Sequence, residues 1–241
     1  ICWSLVGSEM CIRDRTIGVA FAVCLVCSLI VSTSAVSLRD LQKENKLNDK
    51  RIKILQVADI YNPDESISEQ FKKLDSKFID FNLGIIVDEY NNQNIDEYDQ
   101  ILVTRDPSQS SEVPASEDIA IIKNRENVGK IYILRDELGN IQKLILPIRG
   151  YGLWGTLYGY ISIEDDFNTV SGIEFYEHKE TPGLGAEVDN PKWKTSWKGK
   201  KIYKDNQVAL SVIKGKVEQS DMQAQYKICL LYTSPSPRDS S

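Results

Sequence analysis

The stretch Ile17–Val36 (IGVAFAVCLVCSLIVSTSAV) contains no charged residue. A helix that crosses a bilayer needs about 20 mostly apolar residues, and this run supplies them. A signal peptide is the rival reading. Its apolar stretch is shorter and ends in a small-x-small cleavage site, which Ser32-Thr-Ser-Ala35 imitates. The length of the run, and the amphipathic segment that follows it directly, favour a retained anchor. Arg39, Lys43, Lys46, Lys50 and Arg51 follow the run. By charge alone they place the C-terminal side in the cytoplasm, although no native flank on the other side balances the count.

The two ends are read differently. One DNA string that encodes Cys229–Asp239 (CLLYTSPSPRD) resembles the adapter of a transposon-based sequencing library, and its opposite strand encodes Leu5–Asp14 (LVGSEMCIRD). Residues 1–15 and 229–241 are therefore expected to be adapter read-through and are set aside from fold reasoning. Of the five cysteines, Cys2, Cys11 and Cys229 fall in these ends and Cys24 and Cys27 in the apolar run. The body then offers neither a disulfide framework nor a cysteine metal site. The spacing Cys24-Leu-Val-Cys27 matches a CxxC pair, but two small apolar residues of a membrane helix account for it. A net charge of −6 without a long basic block disfavours nucleic-acid binding.

Beyond the anchor, Leu38, Leu41, Ile52 and Leu55 fall on a helical seam. Ser66-Ile-Ser-Glu69 reads as a capping box, and Ile67, Phe71, Leu74 and Phe78 predict one helix through Phe78. Leu83–Val87 is a candidate strand. The polar stretch Asn91–Glu117, with Pro107 and Pro114, predicts loop with one strand near Ile101–Thr104. From Lys130 the period becomes two. Ile131–Arg135 and Gln142–Leu146 flank one turn signal, and Leu157–Ile163 and Val170–Tyr176 flank another at Asp165–Asn168. Asp165 and Asp166 are expected to be solvated turn residues. Asn190-Pro191 opens a short helix ending at Gly199, and Val208–Ile213 is a further strand. The fold class is α+β: a single transmembrane helix, then a mainly antiparallel sheet flanked by helices. The expected organisation is a membrane helix at 16–36, a juxtamembrane helical segment at 37–65 and a domain at 66–228.

Two stretches stand out chemically, Leu146-Pro-Ile-Arg-Gly-Tyr-Gly-Leu-Trp-Gly155 and Glu177-His-Lys-Glu-Thr-Pro-Gly-Leu-Gly185. Each sets glycines among bulky apolar residues, and glycine lets a backbone approach a flat ligand or adopt positive φ. Trp154 and Leu184 are suited to sandwiching an aromatic ring, with a hydroxyl from Thr181. The plainer alternative is two tight loops with Trp154 in the core. His178, the one histidine, lies near Glu177 and Glu180, and a hydrogen-bonding role fits it better than metal ligation.

The string Glu-Thr-Pro-Gly-Leu-Gly at Glu180–Gly185 resembles the signature of the FMN-binding domain family. That family includes the C subunit of sodium-translocating NADH:quinone oxidoreductases and the G subunit of Rnf complexes. His178, the phrase Pro147–Trp154 and the stretch from Asn190-Pro-Lys-Trp193 to Lys201 are more similar to the former. The resemblance spans roughly Thr16–Ile228. It implies FMN bound by Gly152, Leu153, Trp154, His178, Glu180, Thr181, Gly183, Leu184 and Gly185, with Thr181 and Leu184 on the ring and Trp154 bordering it. It also implies an electron-carrier subunit, not catalytic alone, in a six-subunit sodium-pumping complex of the bacterial inner membrane. The domain would face the periplasm and be matured by a flavin transferase. The family tethers FMN to a threonine in a Ser-Gly-Ala-Thr motif expected just after Ile228, which is absent from this chain. The alternatives are the G subunit of an Rnf complex and an anchored non-redox binding or assembly domain.

Overall fold

A computed structural model describes residues 2–91, 93–181, 186–213, 217–218 and 220–229. Contacts divide the chain into two compact units, Ile1–Asn48 and Asp49–Ser241.

The first unit is helical. Helix α1 (Cys2–Ser37) includes Arg15–Ser37, 23 residues with mean hydropathy 2.4, long and apolar enough to cross a membrane. Some of its hydroxyls return to its own backbone: Ser28 Oγ donates to Leu25 O at 2.9 Å and Thr33 Oγ1 to Leu29 O at 2.8 Å. Polar groups on an apolar helix are satisfied internally this way. Helix α2 (Arg39–Val57) follows.

The second unit takes up the end of α2. Ile54, Leu55, Val57 and Ala58 are buried with Leu74, Tyr132, Leu134, Ile145 and Tyr160 in its main core. The helix stops at Asp59, whose φ of 63° is the left-handed conformation common just past helix ends. Helix α3 (Ile67–Phe71) is much shorter than its sequence period predicts, and Leu74 and Phe78 lie instead in strand β1 (Leu74–Asp80). Residues four apart share a face in a strand as well as in a helix, so this pair alone does not discriminate. The capping box is also overturned, because Ser66 makes no side-chain cap bond. Buried Gln70 closes the preceding turn instead, accepting from Asn62 N at 2.7 Å and donating to Asn62 O at 2.7 Å and Glu65 O at 3.0 Å.

Strand β2 (Ile85–Val87) pairs with β1. The strand expected near Ile101–Thr104 is a helical turn, α4 (Gln100–Val103). The Asp99 carboxylate caps it by accepting from Ile101 N and Leu102 N, which outweighs the β-propensity of Ile and Val. Strands β3 (Ser110–Glu112) and β4 (Asn124–Glu126) form a small hairpin. Then come β5 (Val128–Arg135), β6 (Ile141–Tyr151), β7 (Thr156–Glu164) and β8 (Val170–Glu177). The main sheet has the order β2-β1-β5-β6-β7-β8 and is antiparallel at every pairing. The β5–β6 and β7–β8 hairpins match the period-two reading.

Asp166 does more than sit solvated in its turn. It accepts from Asn168 N, Thr169 N and the Thr169 hydroxyl, and chiefly that hydroxyl holds its carboxyl well below the usual range. Helix α5 (Pro191–Thr195) has Asn190 as its N-cap, accepting from Lys192 N at 3.0 Å, and the chain turns at Gly199 with φ 77°. Strands β9 (Tyr203–Lys204) and β10 (Gln207–Val208) make a short hairpin. The single strand expected over Val208–Ile213 is interrupted because Ala209 N and Leu210 N both donate to Ile202 O. It resumes as β11 (Ser211–Ile213), which pairs in parallel with β12 (Lys227–Cys229).

Candidate functional site

The stretch Leu146–Gly155 is not a loop at a strand end. Leu146–Tyr151 is the last part of β6, and Gly152–Gly155 is the tip of the β6–β7 hairpin, closed by Gly152 N donating to Gly155 O at 2.8 Å. The second stretch leaves the end of β8, and antiparallel pairing brings that end beside the tip: Tyr158 pairs with Glu177.

One side chain joins the two stretches. Glu180 is 8% exposed, and its Oε1 accepts from Trp154 N at 3.0 Å. A Cβ at Gly152 would stand 2.4 Å from that same Oε1 and from Leu157 Cδ1, and a Cβ at Gly155 would press on Lys179. These glycines therefore let the two segments approach each other. At both positions the space a side chain would need is already taken by the neighbouring protein segment.

The tie leaves an apolar platform outward. Leu153 is 75% exposed, Trp154 59% and Tyr151 is also exposed, so Trp154 is not a core residue. Thr181 is exposed beside buried Glu180. Pro182, Gly183, Leu184 and Gly185 lie outside the described residues. A flat apolar ring fits such a platform, where exposed aromatic and aliphatic surface adjoins a few polar groups.

His178 directly follows the end of β8. Its Nε2 meets Asp189 Oδ2 at 2.8 Å, and its buried Nδ1 has no hydrogen-bond partner. Asp189 belongs to a 3-10 turn, Ala186–Asp189, and sequence reasoning missed it because eleven residues separate the pair. Lys53, Phe175, Tyr176, Glu177 and Lys194 line the adjoining cleft of about 560 Å³. Glu174 holds both lysines, at 3.1 Å from Lys53 and 2.9 Å from Lys194, so neither is a free cation. No group of three or more metal-ligating side chains occurs among the described residues.

A further cluster behind the tip was not foreseen. Arg149, two residues before Tyr151, lies 2.6 Å from buried Glu126 of β4, and its Nη2 donates to Asn124 O at 2.8 Å. Gln100 Nε2 also donates to Glu126. Tyr151 N donates to Ala120 O at 2.8 Å, which brings the β3–β4 loop beside the tip. That loop contains Ile121 at φ 53° and Lys123 at φ 64°. For a β-branched residue this conformation is a genuine outlier, costing about 1–3 kcal/mol.

The FMN-binding domain family matches residues 152–226, a span that opens at the tip glycine. The C subunit of the Na(+)-translocating NADH-quinone reductase of Pseudomonas aeruginosa is 43% identical over 219 residues, covering 89% of this chain and 82% of that protein. Its Vibrio vulnificus counterpart is 43% identical over 203 residues, covering 83% and 78%. The chain belongs to the NqrC family, the C subunits of Na(+)-translocating NADH-quinone reductases. Among solved structures, Shewanella oneidensis NqrC superposes with a TM-score of 0.68 at 30% identity, covering 79% of this chain and 85% of that one. The C subunit from Parabacteroides distasonis gives 0.57 at 27% identity, covering 80% and 82%. These relatives favour NqrC over the Rnf G subunit and over a non-redox domain.

Proposed function

We propose that this chain is the membrane-anchored electron-carrier subunit of a sodium-translocating NADH-quinone reductase, with FMN seated at the hairpin tip. One observation carries the siting: Glu180 clasps Trp154 N, so the two stretches with the family's signature residues meet at one exposed apolar platform. FMN, when bound, supplies one- and two-electron chemistry.

The chain's own residues hold and shape the site. Leu153 and Trp154 offer apolar surface, and Thr181 offers a hydroxyl. Glu180 fixes the backbone of the tip. Gly152 keeps the clasp short, and His178 with Asp189 steadies the segment after β8. Gly183, Leu184 and Gly185 complete the site in this reading, with Leu184 on the ring.

The reading extends to an assembly of six subunits in the bacterial inner membrane, a periplasmic domain and maturation by a flavin transferase. It also takes residues 1–15 and 229–241 as adapter read-through. Recovering the native gene and co-expressing the full-length protein with its transferase tests this directly. A flavin-fluorescent band on a denaturing gel is expected, and a dark band refutes the electron-carrier reading. Protease added to spheroplasts should digest the domain, and protection there would overturn its periplasmic placement.

A further inference from the structure

The β3–β4 loop, Val113–Lys123, is heavily bonded although the proposed site does not use it. Both ends of its neck are joined, with Val113 N donating to Lys123 O at 2.7 Å. The Asp118 carboxylate folds the loop on itself, accepting from Ile122 N at 2.9 Å and Lys123 N at 2.8 Å. Glu117 N and Asp118 N both donate to Pro114 O. Arg149 and Tyr151 N then tether β4 and the loop to the last residues of β6, immediately before the tip.

All this bonding supports an arrangement unfavourable on its own terms. Ile119 is 94% exposed, Ile121 is exposed at a backbone angle that Ile avoids, and Ala120 between them is held to Tyr151. Strain of this kind persists only where surroundings enforce it, and it gathers at ligand clamps. The exposed isoleucines flank Ala120, whose carbonyl holds Tyr151 N, so they add apolar surface next to the end of β6.

We propose that the β3–β4 loop is a third wall of the flavin site, with Ile119 and Ile121 supplying apolar surface to the bound ring. The inference rests on the siting of flavin at the tip. Asp118 and Arg149 are positioning residues for that wall, acting through the loop backbone. The rigid neck makes the wall pre-formed, so binding does not have to order it.

The test is titration of free FMN, and separately riboflavin, into the full chain in detergent micelles, read by flavin fluorescence anisotropy. Ile119→Ser should raise Kd about three- to tenfold, the worth of partly burying one aliphatic side chain. Riboflavin should show the same ratio, since it shares the ring and lacks the phosphate. Ile121→Gly should raise Kd while leaving the melting temperature unchanged or higher, because glycine accepts the positive φ. A merely structural role would not give those opposite signs. Trp154→Ala is the reference. If it weakens FMN while both isoleucine variants bind normally, the wall is refuted and the tip site stands. An effect on FMN but not on riboflavin also refutes the wall. If the unsubstituted chain binds neither flavin, or Trp154→Ala binds as well as it does, the tip siting fails and the wall with it.

Discussion

Arg149 and Glu126 offer the sharpest test of how the tip is held. Their side chains are 15% and 6% exposed and lie 2.6 Å apart, with Gln100 as the other partner of the carboxylate. Arg149→Met keeps most of the aliphatic stem but strands a carboxylate in the interior. Breaking a buried pair from one side costs about 3–5 kcal/mol. A domain of this size loses about 2–4 °C of melting temperature per kcal/mol, so the variant should melt roughly 6–20 °C lower. Pairing it with Glu126→Gln removes the stranded charge, and the double variant should recover to within about 2 kcal/mol of the parent. Far-UV circular dichroism melts of parent, both single variants and the double variant, all in the same detergent, give the coupling. The reasoning is refuted if Arg149→Met melts within about 2 °C of the parent, or if the double variant is no more stable than Arg149→Met.

Burial brings the Lys130 amine down to about 8 from its ordinary 10.5, while it donates to Ile95 O at 2.6 Å. Between those values the unfolded chain binds the extra proton, so stability rises with pH from about 8, by up to about 3 kcal/mol. Burial also holds Tyr98, Tyr132, Tyr160 and Tyr176 protonated above the ordinary 10.0, so stability falls from there upward only once the unfolded chain's tyrosines ionise. Urea melts should show a maximum near pH 10, which Lys130→Met flattens on its acid side; a steady decline from pH 7.5 would contradict this. Gly152→Ala forces a methyl against Glu180 and Leu157 and should cost about 1–3 kcal/mol, with a changed Trp emission spectrum as the tip shifts. Val26→Arg places a charge near the middle of Arg15–Ser37, at about 2.5–3.5 kcal/mol against insertion. Fractionation should show less of that variant in membranes, and unchanged partition would count against a spanning helix.

The parts of the fold legible in the sequence are those decided by near neighbours. The β5–β6 and β7–β8 hairpins are written in alternating side chains and in turn residues such as Asp136 and Asp166, whose carboxylates bond within four residues of themselves. The α5 cap is equally local. Leu74 and Phe78 misled because a spacing of four suits both periods, and Ile101–Thr104 because a cap at Asp99 outweighs propensity. At the site, the two signature stretches were visible as motifs, but the reason for Gly152 was not. It depends on Glu180 crossing 26 residues to Trp154 N. Arg149–Glu126 and Tyr151–Ala120 span gaps of the same order, and no period or turn signal announces such partners.

Strand β6 runs eleven residues, from the turn at Asn140 to the tip at Gly152. At a rise of about 3.3 Å per residue its ends stand roughly 35 Å apart. Direct electron exchange decays steeply with separation, so in the proposed siting a flavin at the tip would communicate with only one pole of the domain. A neighbouring protein resting on the Asp136–Asn140 turn would be electrically silent however tightly it bound. In that siting the sheet would double as an insulator, leaving the opposite pole for contacts that carry no current.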